Sequence, residues 1–312
     1  MEKKKTEATK IPSISYSKLS LFKACPRQYY HRYIEKSKIK EVTYPGGLYG
    51  QACHLGLEQI IKALSEGGTV KDVDGLLVGT FATLFEQAKA ESKNTFKESR
   101  EFREDRKGFM NDGDRALRSI GRFFTSYFQG WSELKSEAEY KFEWKPRVEC
   151  VGIIDARLIW PDGSHSIVDL KITADGSNFW WVDWYRDTQS LMYDFLVYKH
   201  VGTLPKSFAY MVYDRTLKTL FVKERSIAPF VQLDVNDPEY VEPIYFSLDN
   251  RIDILARFNE ACLDDECVGD SLSLSIAKPS MEGCKWCPWS KTCTKKWESK
   301  NVLNARRMLK RG

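Results

Sequence analysis

The hydrophobic pattern of this chain changes from helical to strand-like after about residue 130. Before that point, capping serines and grouped apolar residues predict helices over about 16–36 and 47–66. Further helices are predicted over 67–130, where a charged stretch is more typical of a solvated helix face than of a nucleic-acid clamp. We therefore interpret 67–130 as a helical insertion.

Alternating and β-branched residues predict strands in the second half. Tyr140, Phe142 and Trp144 alternate with charged residues, the period of two that strands show. The turn Pro161-Asp162-Gly163 then predicts a hairpin. The two hairpin strands are expected at about 148–160 and 166–172, and two later strands at about 206–214 and 218–224. Helices are expected at about 184–200 and 248–263. This order predicts an α/β fold, in which helices flank a mixed sheet.

Length and composition indicate a soluble globular protein. The chain has 312 residues, of which 42% are hydrophobic and 29% are charged. It has no apolar run of about 18 residues that could span a membrane, and no apolar stretch follows the charged N-terminus as in a secretory signal. We therefore expect a cytoplasmic protein with a single domain over 13–297, a disordered tail over 1–12 and a basic tail over 298–312.

Two acids and a lysine lie on the predicted hairpin. Asp155 is on its first strand and Asp169 on its second, so together they can hold a hard divalent cation through oxygen ligands. Lys171 follows Asp169 by two residues, which on a strand puts both side chains on one face. A cation, two carboxylates and an ammonium suit phosphodiester hydrolysis. An acid-x-lysine pair alone is more often structural, so the interpretation depends on its neighbours.

Three further residues complete a recognisable order. His54 lies on an early helix, and Gln189 and Tyr193 share a face of the helix after the hairpin. The chain thus resembles the RecB-like branch of the PD-(D/E)xK nucleases, which includes CRISPR-associated RecB-like exonucleases and the nuclease domains of bacterial recombination complexes. The motifs that carry this resemblance are His54, Gly152-Ile-Ile-Asp155, Asp169-Leu-Lys171, Gln189-Ser-Leu-Met-Tyr193 and an opening segment from Ser15-Tyr-Ser-Lys-Leu to Cys25-Pro-Arg-Gln-Tyr-Tyr.

The resemblance implies roles for these residues. The metal ligands would be His54, Asp155, Asp169 and the backbone carbonyl of Leu170. Lys171 would be the catalytic lysine, and Gln189 and Tyr193 would shape the site or contact the DNA backbone. One departure is that Ile172 separates Lys171 from Thr173, where the family often has threonine directly. The third acid is also Asp rather than Glu.

The resemblance further implies a restriction-endonuclease-like fold and an activity. The expected reaction is Mg²⁺- or Mn²⁺-dependent hydrolysis of DNA by an exonuclease acting on single strands or ends, in recombination, repair or DNA processing. The net charge of +5 is compatible with a nucleic-acid partner without requiring one. Because no Gly-x4-Gly-Lys-Ser/Thr loop is present, we expect a stand-alone enzyme, of phage or plasmid origin, or a partner of a separate helicase.

A cysteine cluster lies near the C-terminus. Cys284, Cys287 and Cys293 form a C-x2-C-x5-C pattern over the segment 281–297, and three thiolates so close suit one metal centre. Cys25 is the candidate fourth ligand, and zinc is one candidate metal. RecB-like nucleases with an iron–sulfur staple have the same arrangement, so the resemblance implies a structural [4Fe–4S] cluster. The other cysteines are taken as non-ligands, namely Cys53, Cys150, Cys262 and Cys267.

An aromatic patch precedes the Gln-x3-Tyr helix. It consists of Phe179, Trp180, Trp181, Trp184 and Tyr185. Aromatic side chains can stack on unpaired bases, but packing of the helix on the sheet is slightly favoured. Arg27 and Arg186 are candidate phosphate contacts.

Two alternatives to a nuclease come from other functional classes. One is a DNA-binding or assembly subunit with an inactive site, against which the complete His–Asp–Asp–Lys set argues. The other is a zinc-stabilised scaffold without chemistry. The sequence excludes neither RNA as a substrate nor any oligomeric state.

Overall fold

The computed structural model of the protein describes residues 13–36, 41–69, 75, 80–92, 94–145, 148–174, 176, 187–226, 248 and 251–260. Its contacts divide the chain into two compact units. The smaller consists of Met1–Glu41, Glu143–Cys150 and Asp249–Gly312, and the larger of Val42–Phe142 and Val151–Leu248. The predicted tails and the cysteine-rich segment over 281–297 lie outside the described residues, and the single domain over 13–297 stays a prediction.

Two short helices open the smaller unit, in place of one helix over 16–36. They are α1 (Tyr16–Ala24) and α2 (Pro26–Tyr29), which continues into a π-helical turn (Tyr30–Ile34). Ser15 caps α1, because its hydroxyl accepts the N–H of Lys18 at 3.4 Å. Cys25, between the two helices, is extended, since a proline disfavours helical backbone at the residue before it. The Tyr29 hydroxyl donates to Asn259 at 2.9 Å and so ties α2 to a helix over 251–260.

Helices form one layer of the larger unit. They are α3 (Pro45–Ser65), α4 (Thr80–Glu91), α5 (Arg100–Glu104) and α6 (Arg106–Tyr127). Pro45 begins α3 because its fixed φ suits a helix and its missing N–H is no loss in the first turn. The predicted helix over 47–66 is confirmed. The described residues of 67–130 contain α4, α5 and α6, and the interpretation of this range as a helical insertion stays a prediction. A parallel pair of two-residue strands, β1 (Val42–Thr43) and β2 (Thr95–Phe96), was not predicted.

A five-stranded mixed sheet forms the other layer. In order across the sheet, its strands are β3 (Glu133–Lys145), β4 (Val148–Ile159), β5 (His165–Thr173), β6 (Ser207–Asp214) and β7 (Thr219–Ser226). The pairs β4–β5 and β6–β7 are antiparallel, whereas β5–β6 is parallel. Helix α7 (Thr188–Val201) supplies the crossover that parallel neighbours need. The predicted strands are confirmed, and β3 starts earlier than its alternation indicated.

The two faces of the sheet pack against different helices. Val168 and Leu170 of β5 belong to an apolar core that they share with α3, α4 and α6. Helix α7 approaches β4 so closely that a Cβ on Gly152 would lie 2.4 Å from the Cδ1 of Leu196. Because successive strand residues point to opposite faces, Asp169 lies on the face away from that core. The predicted mixed α/β fold with flanking helices is thus confirmed.

Membrane insertion was not expected from the sequence. Within the ranges that the structure describes, no helix has the length and apolarity needed to cross a membrane.

Gly113 tests the packing of α6 on α4. A Cβ on Gly113 would lie 2.1 Å from the Cδ1 of Phe81, whose ring is completely buried. We expect Gly113→Ala to lower the free energy of unfolding by about 1–3 kcal/mol, because the ring cannot move within a packed core. Urea denaturation measures this change.

Gly50→Ala in α3 is the matched control. Among the residues that the structure describes, no atom lies within 4 Å of a Cβ added there. We therefore expect a gain of up to about 1 kcal/mol from helix propensity alone. Equal effects of the two substitutions would contradict the close packing at Gly113.

Candidate active site

The register of the β4–β5 hairpin brings the two predicted acids together. Ala156 pairs with Val168, so Asp155 and Asp169 are the next residues along the two strands. The Oδ2 of Asp155 accepts the backbone N–H of Leu170 at 2.7 Å. This bond fixes the Asp155 carboxylate against β5, directly beside Asp169.

Asp169 is the most deeply buried acid of the site. Its residue is only 2% exposed. Gln189, in the first turn of α7, donates to its Oδ1 at 2.8 Å, and the Nζ of Lys171 lies 2.5 Å from its Oδ2. Both oxygens of the buried carboxylate therefore meet a donor, and one of these donors carries a positive charge.

His54 reaches the site from α3. Its Nδ1 lies 3.1 Å from the Oδ1 of Asp155, and about a third of its side chain is exposed (32%). The structure thus brings together five residues predicted from the sequence. They are His54, Asp155, Asp169, Lys171 and Gln189.

The electrostatics of the site follow from this packing. Burial raises the pKa of Asp169; Lys171 opposes that change, and the charge of Asp155 adds to it. Burial alone would lower the pKa of His54, but the charge and hydrogen bond of Asp155 outweigh it and raise that pKa. His54 and Lys171 therefore face the two carboxylates at the centre of the site.

The side chains of the site are of the types that bind a hard divalent cation. In the present arrangement they contact one another. Two carboxylates and an imidazole are suitable ligands for Mg²⁺ or Mn²⁺. Among the described residues, no group of three or more His, Cys, Asp or Glu side chains is arranged to hold a metal. Each of the four carboxylate oxygens has a protein partner in this arrangement. A cation would replace the contacts made by His54 and Lys171.

Tyr193 packs α7 on the sheet. It is 9% exposed, and its ring centroid lies 6.4 Å from that of Phe208 on β6. A Cβ on Gly152 would lie 3.2 Å from the Cε1 of Tyr193, so the glycine of the Gly-x-x-Asp motif permits this approach. The predicted role of Tyr193 in the chemistry, and that of the Leu170 carbonyl as a ligand, stay predictions.

Several other predicted residues lie apart from these five or outside the described ranges. The aromatic patch, Arg186 and Cys284, Cys287 and Cys293 are outside the described residues. Cys25 is a free, partly exposed thiol, whereas Cys53 and Cys150 are buried, as expected for non-ligands. Arg27 is buried, with 1% of the residue exposed and its guanidinium 5.4 Å from the Tyr30 ring centroid, and its predicted contact with phosphate stays a prediction.

Two residues near the site, Asp187 and Tyr210, were not predicted from the sequence. Asp187 caps α7 by accepting the N–H of Ser190 at 3.1 Å, and the hydroxyl of Tyr210 donates to its Oδ2 at 2.6 Å. An aspartate two residues before Gln189 is a helix-cap signal that could have been recognised. The position of Tyr210 depends on the parallel register of β5 and β6, which the sequence does not give.

Metal binding to this site should release protons. The raised pKa values of Asp169 and His54 mean that both retain protons to a higher pH than free side chains would. Because a cation must displace these protons, we expect Mn²⁺ affinity to increase from about pH 6 to about pH 8. Calorimetry in buffers of different ionisation enthalpy counts the protons released. His54→Ala should release fewer, and pH-independent affinity would contradict the assignment.

Comparison with known proteins agrees with the geometry. The sequence profile of the PD-(D/E)XK nuclease superfamily matches residues 13–294. No curated protein matches the chain. Among solved structures, the chain is similar to the one titled "Crystal structure of SSO0001", with 10% identity over 88% of this chain and 92% of that chain and a TM-score of 0.31. The profile spans most of the chain and all five residues brought together above, and this protein therefore belongs to the PD-(D/E)XK nuclease superfamily.

Proposed function

We propose that the protein is a Mg²⁺- or Mn²⁺-dependent deoxyribonuclease of the RecB-like branch. The observation that carries the proposal is the convergence of His54, Asp155, Asp169, Lys171 and Gln189 in the larger unit. His54, Asp155 and Asp169 would hold the cation. When bound, the cation would polarise the scissile phosphate and lower the pKa of a water molecule.

Lys171 supplies a positive charge at the solvent side of the site. Its side chain is 26% exposed, whereas that of its partner Asp169 is 3% exposed. The ammonium therefore lies between the buried carboxylate and solvent, where a phosphate can approach it. From there it can orient the attacking water or offset charge that develops on the phosphate oxygens.

The backbone N–H of Leu170 and the side-chain amide of Gln189 keep the two carboxylates in fixed orientations. The N–H of Leu170 holds one oxygen of Asp155, and the amide of Gln189 holds one oxygen of Asp169. Gln189 itself belongs to a helix whose first turn is capped by Asp187. Such preorganisation avoids rearrangement of ligands when charge develops in the transition state.

Exonuclease action on single-stranded DNA or DNA ends is the mode we favour. Its support is the resemblance of the ordered motifs to RecB-like exonucleases. We place the activity in the cytoplasm, in recombination, repair or DNA processing, beside a helicase or recombination partner. The competing proposal is a DNA-binding or assembly subunit with an inactive site, and the complete set of polar contacts around Asp169 weighs against it.

Degradation of defined nucleic acids tests the proposal. End-labelled single-stranded DNA, duplex linear DNA, closed circular DNA and single-stranded RNA would be incubated with Mg²⁺, Mn²⁺ or chelator. We expect metal-dependent loss of linear DNA and survival of closed circles. Lys171→Ala should slow cleavage by about 10²–10⁴-fold, because it removes the charge that faces the phosphate.

Lys62→Ala is the matched control for this loss of charge. Lys62 is an exposed lysine near the end of α3, and we expect its removal to change the rate by less than about twofold. Cleavage of closed circles would replace the exonuclease by an endonuclease. If folded wild-type protein cut none of the substrates, the nuclease proposal would be wrong, and gel-shift binding of the same DNA would favour the subunit.

We also propose that Cys25, Cys284, Cys287 and Cys293 hold a [4Fe–4S] cluster. The support is the C-x2-C-x5-C spacing, the family resemblance and the state of Cys25, a free thiol held in extended backbone between α1 and α2. Such a ligand set would cross-link positions far apart in the chain and so restrain its unfolded state. Its role would be structural.

Metal analysis of anaerobically purified protein tests the cluster. We expect a brown protein with about four irons per chain. Cys293→Ala should lose the colour and melt at a lower temperature, whereas Cys267→Ala should keep both. A colourless protein with one zinc per chain would replace the cluster by a zinc site, and a metal-free protein of unchanged stability would contradict both.

A further inference from the structure

We propose that Tyr210 of β6 is a positioning residue for Lys171. Its ring would hold the lysine ammonium at the site, and Asp187 would in turn hold the ring. The inference deepens the proposed nuclease function and rests on it. It concerns a residue that none of the motifs identified in the sequence contains.

The sheet register places Tyr210 beside the catalytic acids. Asp169 pairs with Tyr210 across the parallel β5–β6 ladder, so both side chains lie on the same face. The Nζ of Lys171 lies 5.5 Å from the centroid of the Tyr210 ring. An ammonium within about 6 Å of an aromatic ring centroid is attracted by the negative face of the ring. Lys171 thus contacts a carboxylate of its own strand and an aromatic ring of the neighbouring strand.

The ring of Tyr210 is itself fixed in orientation. Tyr210 is 2% exposed, and its hydroxyl donates to the Oδ2 of Asp187 at 2.6 Å. A hydrogen bond to a charged acceptor is short and strong. Phe208, two residues earlier, packs against the ring with centroids 5.0 Å apart and planes at 76°. The Tyr210 ring is therefore held in one orientation beside the Lys171 ammonium.

Asp187 connects both donors that meet Asp169. It holds Tyr210, which lies against Lys171, and it caps the turn of α7 that carries Gln189. Lys171 and Gln189 then contact the two oxygens of Asp169. The contacts form a closed ring through Asp169, Lys171, Tyr210, Asp187 and the first turn of α7. One carboxylate at the helix cap therefore sets the position of both donors.

The ring contact gains importance when a cation occupies the site. A divalent cation would compete with the Lys171 ammonium for Asp169. The aromatic ring carries no net charge and does not bind a hard cation through oxygen, so this contact would survive the competition. A lysine side chain is otherwise flexible, and Tyr210 would prevent it from leaving the phosphate-binding position.

Steady-state kinetics on the DNA that wild type cleaves test the inference. We expect Tyr210→Leu to lower kcat by about tenfold to a hundredfold with KM changed by less than about threefold. Tyr210→Phe keeps the ring, so kcat should fall by less than about fivefold. The second test is a double-mutant cycle, in which Tyr210→Leu should cause no further loss of kcat in the Lys171→Met background.

Two matched controls separate positioning from folding. Tyr213→Phe also removes a hydroxyl that donates to an aspartate, Asp112, at 3.3 Å, but on the opposite face of β6. Tyr213→Leu also exchanges a buried aromatic side chain of β6 for leucine, on that same opposite face. We expect both to lower the melting temperature while kcat of the folded enzyme stays within about twofold.

A spectroscopic measurement provides a readout that does not need turnover. Methylene protons next to the Lys171 ammonium lie near an aromatic ring, so their NMR signals should be shifted upfield. Lys171→Arg assigns these signals in protein with labelled lysine. The upfield shift should persist in Tyr210→Phe and disappear in Tyr210→Leu.

The outcomes distinguish this inference from the proposed function. If wild type cleaves DNA but the double-mutant cycle is additive, or the upfield shift is absent, Tyr210 does not position Lys171 and the nuclease proposal stands. If Tyr210→Leu affects only the melting temperature, the inference is likewise wrong. If folded wild type cleaves nothing, the function fails, and the positioning role fails with it even where the ring contact is seen.

Discussion

The carboxylate of Asp169 lies in the protein interior, with only 2% of the residue exposed. The surrounding helices and strands supply the polar and charged partners that this group needs. An ionised carboxylate without partners would cost several kcal/mol in such a place. Gln189 from α7 and Lys171 from β5 contact its oxygens, and His54 from α3 partners the neighbouring Asp155. Because these partners come from separate elements, the buried charge requires β4, β5, α3 and α7 to be placed together.

The packing of helix α7 on the sheet positions one partner of Asp169, namely Gln189. Gly152 lets α7 lie close to β4, and Asp187 fixes where its first turn begins. Those two features determine where the amide of Gln189 points. Farther along α7, Asp194 pairs with Arg225 of β7, so the helix is also held to that edge strand of the sheet. The precision of the site is therefore a property of helix–sheet packing rather than of a loop.

The order and type of the elements followed from sequence because each depends on local physics. The hairpin turn at Pro161-Asp162-Gly163 and the alternation before it predicted strands that the structure confirms. The spacing of Asp169 and Lys171 predicted a shared face for the same reason. Three features could not be predicted because they depend on contacts between distant parts of the chain. They are the β1–β2 pair, the pairing of Asp169 with Tyr210 and the burial of Arg27. The break at Cys25 was readable from Pro26 and was overlooked.

The parallel pairing of β5 with β6 has a consequence for biosynthesis. His54 and Asp155 are 101 positions apart (155 − 54), and Tyr210 lies another 55 positions on (210 − 155). A ribosome adds about 5–20 residues each second, so a nascent chain spends several seconds with its acids made but β6 missing. Parallel, long-range pairing also forms slowly. A chain still emerging from the ribosome would thus lack the Tyr210 ring beside Lys171, and the site would be complete only after β6 has paired with β5.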